Sequence, residues 1–113
     1  MIPVPLKDRT GRPVRKSRRT AVLNRLLSSL GTWFGSATVL PSWGSWKEEA
    51  GSPLSIDKGQ LIVLVMTNRE KYRRHRSGVA RLLKRAGRDL DQQQMAAIAF
   101  HSAKGSIVIQ CRP

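Results

Sequence analysis

Basic side chains recur through residues 69–88 at a spacing that places them on one side of a helix. The guanidinium group binds phosphate through two parallel hydrogen bonds, and successive helical turns repeat about every 5 to 6 Å, a distance comparable with phosphate spacing in a nucleic acid. Glu70 is the only acidic residue in this range. The pattern predicts a phosphate-binding surface, whose candidate ligands are Arg69, Arg73, Arg74, Arg76, Arg81, Lys84, Arg85 and Arg88.

The alternative interpretation of this pattern is an ordinary solvent-exposed helix face. Like charges one turn apart, such as Arg69 with Arg73 or Lys84 with Arg88, each oppose the helix by roughly 0.2 to 0.5 kcal/mol. A face that serves solubility alone usually includes acidic residues that offset this repulsion. Binding of a polyanion therefore explains the composition better.

A second basic cluster lies near the start of the chain. Residues 1–19 contain three prolines and a single acidic residue, Asp8. Their apolar surface is too small to offset the entropy lost on ordering, so we expect a flexible basic arm. This composition fits a phosphate-tracking tail and equally a nuclear-localisation cluster. Its candidate phosphate ligands are Arg12, Arg15, Lys16, Arg18 and Arg19.

The whole chain is strongly basic, with 21 Lys and Arg against 7 Asp and Glu and a net charge of +14. Like charges repel in the folded state, and a polyanionic partner relieves that repulsion. Fourteen Arg against seven Lys favours nucleic acid as the partner, because the planar guanidinium both binds phosphate and stacks on bases. The single cysteine, Cys111, excludes an intrachain disulfide.

Other side chains are weaker candidates for chemistry. Trp43 and Trp46 could stack on bases or lie at an interface, although tryptophan in a small domain more often supplies buried area. His75, His101 and the distant Cys111 do not have the spacing of a zinc site. No pairing of a nucleophile with a base is recognisable. We therefore predict no metal, no cofactor and no catalytic residue.

An amphipathic helix is predicted over residues 21–31, with Gly31 or Gly35 as its end. Its apolar stripe packs in a core or between subunits, or it binds a membrane or a partner. Together with the basic, acid-poor residues before it, this helix also fits a mitochondrial presequence, although Asp8 and the early prolines oppose that. The stripe comprises Leu23, Leu26, Leu27, Leu30 and Phe34.

The second half of the chain predicts a helix between strands. Residues 61–66 form an apolar, β-branched run typical of a strand buried on both faces, and residues 106–110 form a strand that could pair with it. Thr67 and Glu70 have capping-box spacing, which predicts an amphipathic basic helix over 68–86 that ends near Gly87. Its core-facing stripe comprises Tyr72, Val79, Leu82, Leu83 and Ala86. For residues 92–101 the pattern leaves two alternatives, a helix or a strand over 96–101.

These elements predict a small α+β fold with one core. Residues 1–19 are the basic arm, residues 20–54 hold the first helix and an irregular connector rich in Trp, Gly and Pro, and residues 55–113 form the α+β domain. The longest apolar run, six residues, is far short of the roughly 20 that a membrane-spanning helix needs.

The composition favours a non-catalytic protein that binds RNA through its backbone with little sequence specificity. A viral matrix- or capsid-like protein or accessory structural protein that binds anionic membrane and self-assembles is a second hypothesis, and a ribosomal or ribonucleoprotein component is a third. A homo-oligomer is compatible with each. The expected location is the cytoplasm or the nucleus, with mitochondrial import as an alternative. No segment resembles a known family, so these expectations depend on residue chemistry alone.

Overall fold

A computed structural model describes residues 1–46, 50–51, 53–101 and 105–111 of the chain. Within these residues, two helices and five strands form a small α+β domain, which confirms the predicted fold class. The elements are β1 (Ile2–Val4), α1 (Lys16–Phe34), β2 (Thr38–Trp46), β3 (Ser55–Leu64), α2 (Arg69–Asp89), β4 (Met95–His101) and β5 (Gly105–Cys111).

The strands form two antiparallel groups that meet at β1. In the first group β3 lies between β1 and β2, and in the second β4 pairs with β5. Met1 and Ile98 exchange two backbone hydrogen bonds, of 2.9 and 2.8 Å, which align β1 beside β4. Strand β1 thus lies between β3 and β4, and α2 packs against β4, β5 and α1.

Residues 1–19 do not form the flexible arm that their composition predicts. Ile2 and Val4 are buried in β1, and Ile2 pairs with the buried Val63 of β3. The chain then forms a loop in which Val14 is buried and its amide donates to the carbonyl of Leu6. The average composition of residues 1–19 did not predict this order. A few buried apolar side chains are enough to order a proline-rich segment when distant strands supply their partners.

Helix α1 is longer than predicted, starting at Lys16 rather than residue 21. It ends at Gly35, whose φ of 92° is the left-handed conformation typical of a helix C-terminus, and whose amide donates to the carbonyl of Gly31. The apolar stripe lies in the core, since Leu26 and Leu30 are almost completely buried. The structure thus assigns this face to packing within the subunit.

The connector expected before residue 61 instead contains two strands. The pairing of β2 with β3 runs from Thr38 opposite Leu64 to Trp46 opposite Ser55, with a bulge after Ser42. Residues 61 to 64 of the predicted strand are the last part of β3, whereas Val65 and Met66 follow it. The predicted burial on both faces is wrong, because only Val63 is buried among residues 61 to 64. The expected pairing of 61–66 with 106–110 is wrong, because β3 pairs with β1 and β2 while β5 pairs with β4.

Helix α2 confirms the predicted amphipathic helix with shifted ends. Asn68, not Thr67, is the N-cap, and its side-chain oxygen accepts a 2.9 Å hydrogen bond from the amide of Lys71. The helix continues through Gly87 to Asp89. Its predicted core stripe packs inward, with Val79, Leu82, Leu83 and Ala86 buried and Tyr72 partly buried.

The open alternative for residues 92–101 is resolved in favour of a strand. Strand β4 spans Met95–His101 and pairs with β5 over its whole length, from Met95 opposite Cys111 to His101 opposite Gly105. Met95 and Ala97 alternate on the buried face. This hairpin accounts for the predicted last strand, although its partner is β4.

Candidate nucleic-acid interface

The outward side of α2 is basic from its first turn to its last. All the predicted phosphate ligands in this helix are exposed, and they lie opposite the buried stripe of Val79, Leu83 and Ala86. The buried stripe fixes the rotation of the helix, because turning it would expose apolar side chains to water. The sequence therefore places the cations outward by burying their opposite side.

Few of these cations are neutralised. Within the described ranges, the ion pairs of the α2 cations involve Arg74, which lies 3.1 Å from Glu70, and Arg85, which lies 4.0 Å from Asp89. The Arg74–Glu70 pair is solvent-exposed and the Arg85–Asp89 pair is partly so, and both restrain the side chains only weakly. The rest of the helix face presents guanidinium and ammonium groups to solvent.

The basic residues at the start of α1 lie beside the end of α2. A groove of about 300 Å³ is lined by Arg15, Arg18 and Arg88, and an adjoining groove of about 420 Å³ is lined by Arg18, Arg25 and Arg88. Arg12, Lys16 and Arg18 are exposed, whereas Arg19 is partly buried. The fold thus joins the two basic clusters, which the sequence separates by about fifty residues, into one surface. We call the exposed cations of α2 together with Arg15, Arg18 and Arg25 the basic surface.

Stacked side chains hold α1 against α2. The Trp33 and His75 rings stack with centroids 5.5 Å apart and an interplanar angle of 9°, and Phe34 meets the same imidazole edge-on at 5.7 Å. Gly78 makes this approach possible, because a Cβ atom there would lie 3.0 Å from Cη2 of Trp33. His75 and Trp33 therefore serve as packing residues between the helices.

An ion pair between Arg25 of α1 and Asp89 of α2 links the two helices at the other end of their contact. Nη1 of Arg25 donates to Oδ2 of Asp89 at 2.6 Å, and both side chains are about one-third exposed. The sequence prediction did not include Arg25 among the phosphate ligands. Its position opposite the leucines of α1 could have indicated that Arg25 is exposed. Its place beside α2 could not be predicted, because its partner Asp89 is 64 positions away in the sequence.

The loop before α1 is ordered by the Asp8 carboxylate. Oδ1 of Asp8 accepts hydrogen bonds from the Thr10 hydroxyl at 2.6 Å and from the amides of Thr10 and Arg12. The bond from the Thr10 hydroxyl, followed by those from the two amides, lowers the pKa of the Asp8 carboxyl below its ordinary value. Gly11 completes the turn with a φ of 81°. Arg12 and Arg15 precede α1, so this loop rather than the helix sets their positions.

The same loop is fastened to the turn that follows α2. The Arg9 amide donates to the Asp91 carbonyl, and Nε of Arg9 lies 2.7 Å from the Asp91 carboxylate. The Gln92 side-chain amide donates to the Lys7 carbonyl at 2.6 Å. These contacts fix the start of α1 against the end of α2, so the basic surface is a fixed arrangement of two segments.

The leucine-rich stripe of α1 does not join this surface. Leu23 and Leu27 are partly buried against the core, and Leu26, Leu30 and Phe34 belong to it. Trp43 lies on β2 with 72% of its side chain exposed, and the Trp46 side chain is outside the described part of the structure. No helix that the structure describes is long and apolar enough to cross a membrane.

A metal-ligand cluster is absent from the described residues, and the apolar cavity they enclose is separate from the basic surface. Among the residues that the structure describes, no three His, Cys, Asp or Glu side chains come close enough together to hold a metal ion. An apolar cavity of about 330 Å³ lies between the helices and the sheet, near Leu30, Phe34 and Val79. It opens on the buried side of α2, away from the basic surface.

Known proteins provide no assignment for this surface. No family model, no curated protein and no solved structure matches the chain.

Proposed function

We propose that this chain is a non-catalytic protein that binds RNA through the sugar-phosphate backbone, using the basic surface. The observation that carries the proposal is the basic face of α2, in which Glu70 is the only exposed acidic side chain, extended by the cations at the start of α1. Guanidinium groups spaced by one helical turn can contact several phosphates at once. Because base-reading geometry is not required for such contacts, binding is tight and poorly sequence-specific.

The energetics of the two helices support a polyanionic partner. Helix α1 begins with Lys16, Arg18 and Arg19, has no acidic residue in its first turn and has no side-chain cap. Cations at the positive end of a helix dipole each cost roughly 0.3 to 1 kcal/mol. Repulsion between neighbouring cations on α2 adds to this cost. A bound phosphate backbone removes both penalties, which a purely structural role would leave in place.

The decisive variant replaces Arg73, Arg74, Arg81 and Arg85 by Glu. These side chains are exposed, so the circular-dichroism spectrum should persist while RNA affinity is lost. Unchanged affinity in the folded variant contradicts the assignment of the interface. A preliminary measurement is the A260/A280 ratio of the purified protein, which should fall after a high-salt wash.

A charge-matched pair of variants separates the basic surface from net charge. Arg73→Ala with Arg81→Ala lowers the net charge by two within the surface, and Thr38→Glu with Leu40→Glu lowers it by the same amount on β2, the outermost strand on the side away from β4 and β5. Each lost phosphate contact costs about eightfold in affinity near 0.1 M salt, so the first variant should bind roughly 60-fold more weakly. The second should bind nearly as tightly as the parent.

An RNA partner places the protein in the cytoplasm or the nucleus, and a ribosomal or other ribonucleoprotein particle is one setting in which it could act. Co-sedimentation with ribosomal subunits tests that setting. The membrane hypothesis is weakened because the apolar stripe of α1 is part of the core. Binding to anionic vesicles that survives nuclease treatment would restore it.

A further inference from the structure

The apolar cavity of about 330 Å³ is bounded by five elements of the fold. Residues of β1, α1, α2 and β4 and the end of β3 form its walls. Among the residues that the structure describes, Thr67 and Tyr72 supply the only polar side chains of the lining. Protein interiors are packed so densely that voids larger than a water molecule are few. A cavity of this volume is therefore unusual in a chain of 113 residues.

The size and lining of the cavity favour an organic molecule over water. A buried water molecule needs two to four polar partners, whereas apolar cavities of about 150 Å³ stay dry and bind molecules such as benzene. The cavity here has about twice that volume, which reaches the lower end of the roughly 300 to 1,000 Å³ typical of ligand pockets. No charged side chain of the described residues lines it, so a charged ligand would lose its hydration without compensation.

Tyr72 adds a polar group to the cavity wall. Its hydroxyl is buried from solvent and has no hydrogen-bond partner among the described residues. Buried tyrosine hydroxyls usually find a partner, because leaving a donor unsatisfied is costly. Tyr72 and Val79 lie on the inward side of α2 and both line the cavity. A ligand that carries a hydrogen-bond acceptor would supply the partner that the fold does not.

The segment between β3 and α2 provides the entrance to the cavity. Met66 lines the cavity and is 85% exposed, and Thr67 beside it is also exposed. The cavity therefore reaches the protein surface at this segment. The methionine side chain is unbranched and flexible, so it can move aside without a change in the backbone.

We propose that the cavity binds a small, uncharged, apolar molecule, about the size of a bicyclic aromatic compound, that accepts a hydrogen bond from the Tyr72 hydroxyl. Contact with the apolar walls supplies most of the affinity, and Tyr72 selects molecules that carry an acceptor. The site lies on the inward side of α2, away from the basic surface. It does not depend on RNA binding.

The first test compares quinoline with naphthalene. The two molecules have the same bicyclic shape, and only quinoline has an acceptor nitrogen. Titrations followed by the NMR methyl signals of Leu30 and Val79 give both affinities, in the parent protein and in Tyr72→Phe. The ratio of quinoline to naphthalene affinity should fall about fivefold in the variant, the usual net effect of one hydrogen bond. An unchanged ratio overturns the role of Tyr72, and failure of both molecules to bind the parent overturns the whole proposal.

The second test fills the cavity. Ala99→Leu places a larger side chain on the cavity side of β4, and the matched control Ala96→Leu makes the same change on the opposite face of that strand. Ala99→Leu should weaken naphthalene binding at least about tenfold, and the control should leave it unchanged. RNA affinity should be unchanged in both. Full naphthalene affinity in folded Ala99→Leu overturns the location of the site. Tyr72→Phe removes a single oxygen, so the first test holds whether or not Ala99→Leu folds.

Discussion

Replacing Val4 by Ala tests whether the first residues of the chain are part of the folded domain. Val4 is completely buried in β1 and pairs with Leu61 of β3. The substitution removes two methyl groups, which is about 1.6 kcal/mol of transfer free energy, and leaves a cavity of about 50 Å³, which adds about 1.2 kcal/mol. We expect the free energy of unfolding to fall by about 2 to 3 kcal/mol, a large part of the roughly 5 to 15 kcal/mol typical of small domains.

The measurement is urea unfolding followed by tryptophan fluorescence and circular dichroism. Leu40→Ala is the matched control, because it removes more apolar atoms from a strand of the same sheet at a position that is 44% exposed. We expect that control to lose less than about 1 kcal/mol. A flexible basic arm predicts no effect at position 4. A loss below about 0.5 kcal/mol for Val4→Ala would refute the role of β1 in the core.

Two smaller substitutions test local features of the helices. Gly31→Ala should stabilise the protein by about 0.5 to 1 kcal/mol, because nothing lies within 4 Å of the added methyl group, whereas Gly78→Ala should give less or be destabilising because Trp33 lies 3.0 Å away. Thermal unfolding measures both, and equal stabilisation by the two variants would contradict the described helix contact. Asn68→Ala should cost about 1 kcal/mol and Thr67→Ala much less, since Asn68 is the cap; the reverse order in urea unfolding would favour the cap at Thr67.

Helix α2 could be predicted from the sequence because the residues that specify it are close together along the chain. Its apolar residues recur at helical spacing, and a capping residue directly precedes it. The exposed cations follow from the same pattern, since they occupy the positions that the buried stripe leaves. The choice between Asn68 and Thr67 as the cap was less accessible, because both residue types form caps and the backbone conformation decides between them.

Strands β1 and β2 were missed for physical reasons that differ. Strand β1 is three residues long and depends on β3 and on Ile98, 97 positions from Met1. Strand β2 contains Pro41 and Gly44, which are typical of turns. Pro41 is tolerated because β2 is an edge strand, where a missing amide donor need not break the ladder, and Gly44 lies at the bulge that follows Ser42. An edge position is a property of the assembled sheet, which a local pattern does not contain.

The contact between the two basic clusters could not be predicted from the sequence either. The acidic residues show why. Asp89 binds Arg25 of α1, Asp91 binds Arg9, and Asp8 orders the turn before α1. Counting charges along the sequence treats each of these carboxylates as one unit subtracted from the 21 positive charges of Lys and Arg. In the folded chain they lie at the junctions between segments and hold the start of α1 against the end of α2. The carboxylates at these junctions therefore organise the basic surface as well as neutralising part of it, and net charge alone does not describe where the cations lie.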